Sequence, residues 1–227
     1  NRAIDVKTES GSELIKTAKI LIATGSEPCR LPIKGVDLPH VYNSNEMLEM
    51  TELMSPLVII GGGVIGLEFA SMYSAFGAQV VVLEAMDRIL SNMDRDFAVN
   101  LKQILSKRGV EFHTGAEVSE IVKAGFRATT SLEVKFNDKK TGNETTVPAQ
   151  AVLVAVGRRT ATEELFDKNC LPSIPSMDKG RVKVNDRYET DVPGIYAIGD
   201  VTGGIQLAHM ASAEGLNAVA VIAGKEE

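Results

Sequence analysis

Leu57-Val58-Ile59-Ile60 is an unbroken apolar run, too short and too β-branched for a helix, and it predicts a strand buried on both faces. Glycines follow at once, Gly61-x-Gly63-x-x-Gly66, and then apolar positions fall near helical spacing at Leu67, Ala70, Met72, Tyr73 and Ala75, with Gly77 as a stop. Gln79 to Leu83 reads as the next strand, ending at Glu84. After a loop over Asp87-Arg88-Ile89-Leu90, Asp94 is placed to cap a helix running through Phe97, Leu101, Ile104 and Leu105. That helix ends at Lys107-Arg108-Gly109, with cations where the helix dipole favours them. Val110 to His113 is a third strand, which completes a βαβαβ unit. From Glu117 to Pro148 the period changes to alternation, in Val118–Lys123, Leu132–Phe136 and Thr145–Val147, with a hairpin turn over Asn137–Asn143. This predicts an antiparallel meander, after which Ala151–Val156 reads as a central strand.

The flanks are less regular. Ala3–Thr8 and Lys19–Ile22 read as two strands joined through a turn at Glu9–Ser12, and the second runs into Ala23-Thr24-Gly25-Ser26-Glu27-Pro28. The stretch from Arg30 to Pro39, with Pro28 just before it, reads as a linker, and Asn43-Ser44-Asn45-Glu46-Met47-Leu48-Glu49-Met50 offers a cap followed by a short helix. Beyond Thr160 the composition is loop-like as far as Pro175, with a short helical possibility over Glu163–Phe166. Val182–Asn185 and Ile195–Ile198 are strands, the second ending at Gly199-Asp200, and a helix rich in small residues spans about Gln206 to Val221.

Composition narrows the function classes. The chain has 227 residues, 44% of them hydrophobic, so it can build one large or two modest domains. A net charge of −6 argues against nucleic acid or an anionic membrane as a main partner. No apolar run approaches the roughly 20 residues of a membrane span, and no signal peptide is visible. The chain opens on Asn1-Arg2-Ala3 and could be a piece of something longer. Cys29 and Cys170 form no CxxC and suggest a reducing compartment; a tertiary pair between them is a minor alternative. No metal site is expected.

Strand, glycine turn and helix in that order are the context a dinucleotide fingerprint requires. Gly61 allows the tight turn, Gly63 lets backbone approach a pyrophosphate, and Gly66 lets the helix pack on the strand. The pyrophosphate would rest on unpaired N–H groups at the helix N-terminus. Glu84, about 20 positions on, suits the adenosine ribose hydroxyls and would repel a 2′-phosphate, so NAD is favoured over NADP. The competing reading is a structural glycine turn beside an ordinary strand-end glutamate.

Three motifs stand in order: Ala23-Thr24-Gly25-Ser26-Glu27-Pro28, the Gly61–Gly66 fingerprint, and Gly194-Ile195-Tyr196-Ala197-Ile198-Gly199-Asp200. Together they resemble the FAD-dependent pyridine nucleotide–disulfide oxidoreductases. Glu84-Ala85-Met86-Asp87-Arg88-Ile89-Leu90 and Leu207-Ala208-His209-Met210-Ala211-Ser212-Ala213-Glu214-Gly215 are most similar to its dihydrolipoamide dehydrogenase branch. The resemblance implies an α/β fold: a Rossmann-like three-layer NAD-binding domain with an antiparallel meander (residues 37–158), inserted into a partial FAD-binding domain (1–36 and 159–227). It carries NAD contacts onto Gly61, Gly62, Gly63, Val64, Ile65, Gly66, Glu84, Ala85 and Gly157, with Glu68 near the nicotinamide. FAD contacts fall on Gly25, Gly199, Asp200, Gln206, Leu207 and Ala208. Read alone, Asp200 is a helix cap and Glu68 a solvated first-turn glutamate.

The family's amino-terminal FAD fingerprint, its redox-active Cys-x4-Cys pair and its carboxyl-terminal dimerisation domain with a His–Glu pair are not found in these 227 residues. His209 and Glu214 imitate the His-x4-Glu spacing but lie inside the third motif's helix, so they read as coincidence. The chain is therefore expected to carry no catalytic residue, to bind NAD, and to bind FAD weakly or not at all. The parent enzyme would transfer hydride between NAD and flavin and act as a homodimer, within a 2-oxoacid dehydrogenase complex or outside one. It would sit in the cytoplasm, or in the mitochondrial matrix of a eukaryote. Other members of the scaffold (an NADH oxidase, a mercuric reductase) and a stand-alone NAD-binding module are the alternatives.

Overall fold

A computed structural model describes residues 2–125, 131–163, 165–166 and 175–225. They divide into two compact units, a continuous one over Pro28–Arg158 and a discontinuous one made of Asn1–Glu27 with Arg159–Glu227.

In chain order, β1 (Arg2–Thr8) and β2 (Gly11–Thr17) form a hairpin, followed by β3 (Ile20–Ile22) and β4 (Ser26–Pro28). β5 (Val41–Asn43) leads into α1 (Ser44–Leu48), whose capping box is complete: the Asn43 side chain accepts from the Asn45 and Glu46 amides, and Glu46 accepts from the Asn43 amide. The Rossmann core follows as β6 (Leu57–Ile60), α2 (Val64–Ala75), β7 (Val80–Glu84), α3 (Arg95–Lys107) and β8 (Glu111–Thr114). Asp94 caps α3 by accepting from the Asp96 amide. The meander is β9 (Ala116–Lys123), β10 (Leu132–Asp138) and β11 (Glu144–Ala149), and β12 (Ala151–Val154) returns to the core. β13 (Arg158–Thr160), which pairs with β4, then β14 (Met177–Asp178), β15 (Arg181–Val182), β16 (Ile195–Ala197), a 3-10 turn over Gly199–Thr202 and α4 (Ala208–Ile222) complete the chain.

The unit Pro28–Arg158 has an α/β, Rossmann-like fold. Its central sheet is parallel throughout, in the order β5-β12-β6-β7-β8, so β8-β7-β6 is the 3-2-1 half of a doubly wound sheet. Period-2 alternation sends Leu57 and Ile59 to one face of β6, where they join Leu67, Ala70 and Tyr73 of α2 and Leu105 of α3. Val58 and Ile60 point the other way, onto Ile121, Leu132, Val134 and Phe136 of the meander. Helices, sheet and meander are thus three layers with the sheet buried on both sides. The meander pairs β11-β10-β9, as the alternation predicts.

The Arg30–Pro39 stretch is not a free linker. Leu31, Ile33, Val36 and Leu38 pack on the meander-side core, and Lys34 forms a bridge with Glu120. The Lys34 Nζ also lies 3.1 Å from the Glu120 carboxylate. The structural boundary accordingly falls at Glu27/Pro28.

In the discontinuous unit, β3 and β16 pair in parallel (Ile20↔Ile195 to Ile22↔Ala197) over a small core containing Ile22, Val182, Ala197 and Val201. Three strands, not two, precede Ala23. β2 escapes a reading by pattern because six of its seven residues are exposed and it exists by pairing with β1. The strand expected over Val182–Asn185 is confined to Arg181–Val182, and α4 begins at Ala208, after Gln206 and Leu207. The helical possibility at Glu163–Phe166 lies partly outside the described residues; the Leu165 amide donates to the Thr162 carbonyl, a turn. Cys170 lies outside them as well, and with it the pairing with Cys29.

Candidate dinucleotide-binding site

The glycine turn sits at the carboxyl end of β6, the central position of the parallel sheet, where open α/β folds bind ligands. Each glycine meets a different constraint. Gly61 has φ +113°, and a Cβ there would lie 2.4 Å from the Ala155 carbonyl oxygen. Both facts forbid a side chain. At Gly66 a Cβ would lie 2.1 Å from the Gly61 carbonyl oxygen and 3.2 Å from Ile59 Cγ2, so the close packing of α2 on the turn depends on its absence. Gly63 differs: its φ is an ordinary −80°, and a Cβ would meet nothing within 4 Å. The space in front of Gly63 is open.

Gly63 is also the N-cap of α2, and no side chain caps that helix. The first-turn amides, which include Val64, Ile65 and Gly66, have no intrahelical acceptors and carry the partial positive charge at this end of the helix dipole. Val64 is exposed and Ile65 half-buried. An open approach at Gly63 onto uncapped amides is a fit for a diphosphate.

Glu84 ends β7, the neighbouring strand, and its carboxylate reaches back to the turn. Oε2 accepts from the Gly62 amide at 2.6 Å, and Oε1 accepts from the Met86 amide at 2.7 Å. The acid is thus fixed at the glycine turn by two backbone donors. Ala85 follows it and is exposed. Gly157 lies just beyond β12, the strand on the other side of β6; it is exposed, has φ +117°, and its carbonyl accepts from the Cys29 amide at 2.9 Å. Glu68 is exposed in the second turn of α2, not the first, since no acid stands in that first turn.

The discontinuous unit brings the other two motifs together. Because β3 and β16 are parallel neighbours, Gly25-Ser26 and Gly199-Asp200 emerge at the same sheet edge, and the Ser26 hydroxyl donates to Asp200 Oδ2 at 2.5 Å. Gly199 adopts φ +71° and opens a 3-10 turn, so Asp200 belongs to that turn and not to the strand. Gly25, at φ +70°, accepts from the Ala161 amide through its carbonyl. Gln206, Leu207 and Ala208 are exposed at the start of α4.

Sequence reasoning missed several supporting residues. Glu214 is used inside the fold: its carboxylate accepts from the Gly199 amide at 2.6 Å, whereas His209 is exposed. Ile89 and Leu90 close over the glycine turn, the Leu90 amide donating to the Gly62 carbonyl at 2.9 Å. Arg88 forks onto the Ser91 and Met93 carbonyls at 2.8 and 3.0 Å and ties that loop down. Ile89 and Leu90 carried a cue as an adjacent apolar pair between Asp87-Arg88 and Ser91-Asn92.

Residues 1–215 match the family described as pyridine nucleotide-disulphide oxidoreductase. The chain is 39% identical over 223 residues to a dihydrolipoyl dehydrogenase of Bacillus subtilis (strain 168), covering 97% of this chain and 46% of that protein. It is 38% identical over 211 residues to the dihydrolipoyl dehydrogenase of Acholeplasma laidlawii, covering 91% of this chain and 58% of the relative. Among solved structures it is similar to the HOCl-induced flavoprotein disulfide reductase RclA from Escherichia coli, with a TM-score of 0.84 and 32% identity, over 99% of this chain and 48% of that one. The chain therefore spans about half the length of the proteins it matches. With a family match running from the first strands into α4, the chain belongs to the pyridine nucleotide-disulphide oxidoreductases.

Proposed function

We propose that this chain is the nucleotide-binding portion of a flavoprotein disulfide oxidoreductase of the dihydrolipoamide dehydrogenase type. In this reading Pro28–Arg158 is the NAD-binding domain, inserted into an FAD-binding domain to which 1–27 and 159–227 contribute. The observation that carries it is the Glu84 carboxylate held on the Gly62 and Met86 amides beside the open approach at Gly63. A diphosphate is received by the backbone of Gly61–Gly66, and the ribose beside it by Glu84 and Ala85. Glu68 and Gly157 stand at the nicotinamide end. Asp200, oriented by the Ser26 hydroxyl, accepts from the hydroxyls of a flavin's ribityl chain, with Gly25, Gly199, Gln206, Leu207 and Ala208 around it.

Bound together, NAD and FAD would supply hydride transfer between nicotinamide and flavin. The chain's own residues bind and orient; none of those described acts as an acid, base or nucleophile. In the whole enzyme the electrons would pass to a cysteine pair and a disulfide substrate, with dihydrolipoamide as the natural donor for NAD reduction. Sequence identity of 38–39% to dihydrolipoyl dehydrogenases supports that substrate. The likeness to RclA supports a second reading, a disulfide reductase with a different substrate. A homodimer in the cytoplasm or mitochondrial matrix, within a 2-oxoacid dehydrogenase complex or outside one, is the setting that goes with the first reading. No helix among the described residues is long and apolar enough to cross a membrane.

Titrating the purified chain with NADH, NADPH and FAD tests the reading. NADH should bind, NADPH should bind at least about tenfold more weakly because its 2′-phosphate meets the Glu84 carboxylate, and FAD should be retained weakly or not at all. Equal or tighter NADPH binding would overturn the role given to Glu84, and tight FAD retention would overturn the view of the chain as one portion of the FAD domain.

A further inference from the structure

A cleft of about 300 Å³ lies between the loop after β7, one flank of α3 and the end of β8. Three cations line it, Arg88, Arg95 and Lys102. Arg88 donates to the Ser91 and Met93 carbonyls, which carry no charge, and keeps N–H groups to spare. Arg95 is exposed, and the half-buried Lys102 holds its ammonium 5.7 Å from the centre of the Phe112 ring. Among the described residues none of the three forms an ion pair, although the chain carries 30 acids against 24 lysines and arginines. Asp87 is the one acid in the wall, so three cations against one carboxylate leave a net charge of +2. Thr114 adds a donor from the strand side. It is 6% exposed, its hydroxyl accepts from the Lys140 ammonium at 2.8 Å, and the hydroxyl proton remains to be donated. Ile89 and Ala98, both buried, supply an apolar lining.

A cleft lined by one sign of charge concentrates the opposite ion, and an unneutralised +2 matches a dianion better than a single carboxylate. A phosphate monoester carries about −1.5 to −2 at neutral pH. The volume is larger than a bare phosphate needs and stands at the lower end of the range for small organic ligands. We propose that this cleft binds a phosphate monoester of a small organic molecule. Arg88, Arg95, Lys102 and the Thr114 hydroxyl take the phosphoryl oxygens, and Ile89 and Ala98 take the organic part. None of these residues is among those given to the dinucleotide, so the site is separate from the glycine turn and Glu84, and the inference goes beyond the NAD reading.

Isothermal titration calorimetry of the purified chain, near neutral pH and at constant ionic strength, measures ribose 5-phosphate and inorganic phosphate with and without NADH. Ribose 5-phosphate should bind saturably at one site, and NADH should change its dissociation constant by no more than about twofold, as for independent sites. Lys102→Met and Arg95→Ala should each weaken it by about tenfold, the scale of one hydrogen bond to a charged group. Arg108→Ala removes a cation at the end of the same helix, outside the cleft, and should leave the affinity unchanged. Thermal melts establish that each variant is folded. Inorganic phosphate should bind more weakly than the ester; equal affinity would transfer the site to the free anion and overturn the ester. Absence of saturable binding overturns the site, as do equal losses in Arg108→Ala and Lys102→Met, which would mark diffuse attraction. Displacement of the ester by NADH would merge the cleft with the dinucleotide site and overturn it too. A chain that binds the ester but not NADH would sink the dinucleotide reading alone, so the two fail separately.

Discussion

Replacing Glu84 by alanine should act on stability and on binding through separable atoms. The side chain supplies acceptors to two amides, Gly62 at 2.6 Å and Met86 at 2.7 Å. Met86 is exposed, so water replaces the lost acceptor there at little cost. Gly62 is buried, and its orphaned N–H carries a penalty of about 1–3 kcal/mol. For a unit of this size that lowers the melting temperature by roughly 3–12 °C. Loss of the ribose acceptor should weaken NADH by about 1–3 kcal/mol, a factor of roughly 5–150 in Kd. Circular dichroism melts give the first quantity and quenching of NADH fluorescence the second. A lowered melting point with unchanged NADH affinity would keep the hydrogen bonds and refute the ribose role. If neither quantity moved, the hydrogen-bond geometry would be refuted as well.

Other positions divide along the same line. Gly63→Ala should leave the melting temperature within a degree or two of wild type, because the new methyl meets open space at an ordinary φ, yet weaken NADH by tenfold or more on the scale of an obstructed approach to the diphosphate. Gly66→Ala should do the reverse in order of severity, losing about 1–3 kcal/mol or more of stability before binding is considered, since its methyl would sit 2.1 Å from the Gly61 carbonyl oxygen; chemical denaturation reads the difference. Asn43→Ala should cost about 1 kcal/mol by removing the cap of α1, measurable in the same way. Glu120 accepts from Lys135 and Lys34, which hold its carboxyl below the ordinary glutamate range. A depressed folded value means that the contribution is present above the unfolded pKa and disappears as the pH falls through the folded one. Melting temperature should therefore decline with acid in that window, and Glu120→Gln should flatten the decline.

The parallel core was legible in the chain because three cues agreed in one place. A four-residue apolar run too short for a helix, a glycine turn and a 3.6-period helix leave few alternatives to β6–α2, and β7 with its terminal acid extends the same pattern. The cap at Asp94, and the presence of a cap in the stretch that opens on Asn43, were legible for a local reason, since an N-cap is a contact within three residues. Three features stayed hidden for non-local reasons. β2 is nearly all exposed and is defined by its partner. The Arg30–Pro39 stretch has the prolines of a linker, but Leu31, Ile33, Val36 and Leu38 find a core that only the folded meander supplies. Ser26 meets Asp200 across 174 positions, a pairing set by the parallel register of β3 and β16 and invisible to spacing. Within the glycine turn the fingerprint assigned the open approach to Gly63 and the close packing to Gly66, yet it was silent on the contacts that Ile89 and Glu84 make around Gly62.

That difference is open to direct measurement by following the backbone amide resonances of the isotopically labelled chain during addition of NADH. Shifts concentrated at Gly62–Gly66 and Glu84–Met86, saturating together with one dissociation constant, are the predicted result. Shifts that leave those amides untouched, or that gather at another surface of the Pro28–Arg158 unit such as the groove between Cys29 and Tyr42, would contradict the account.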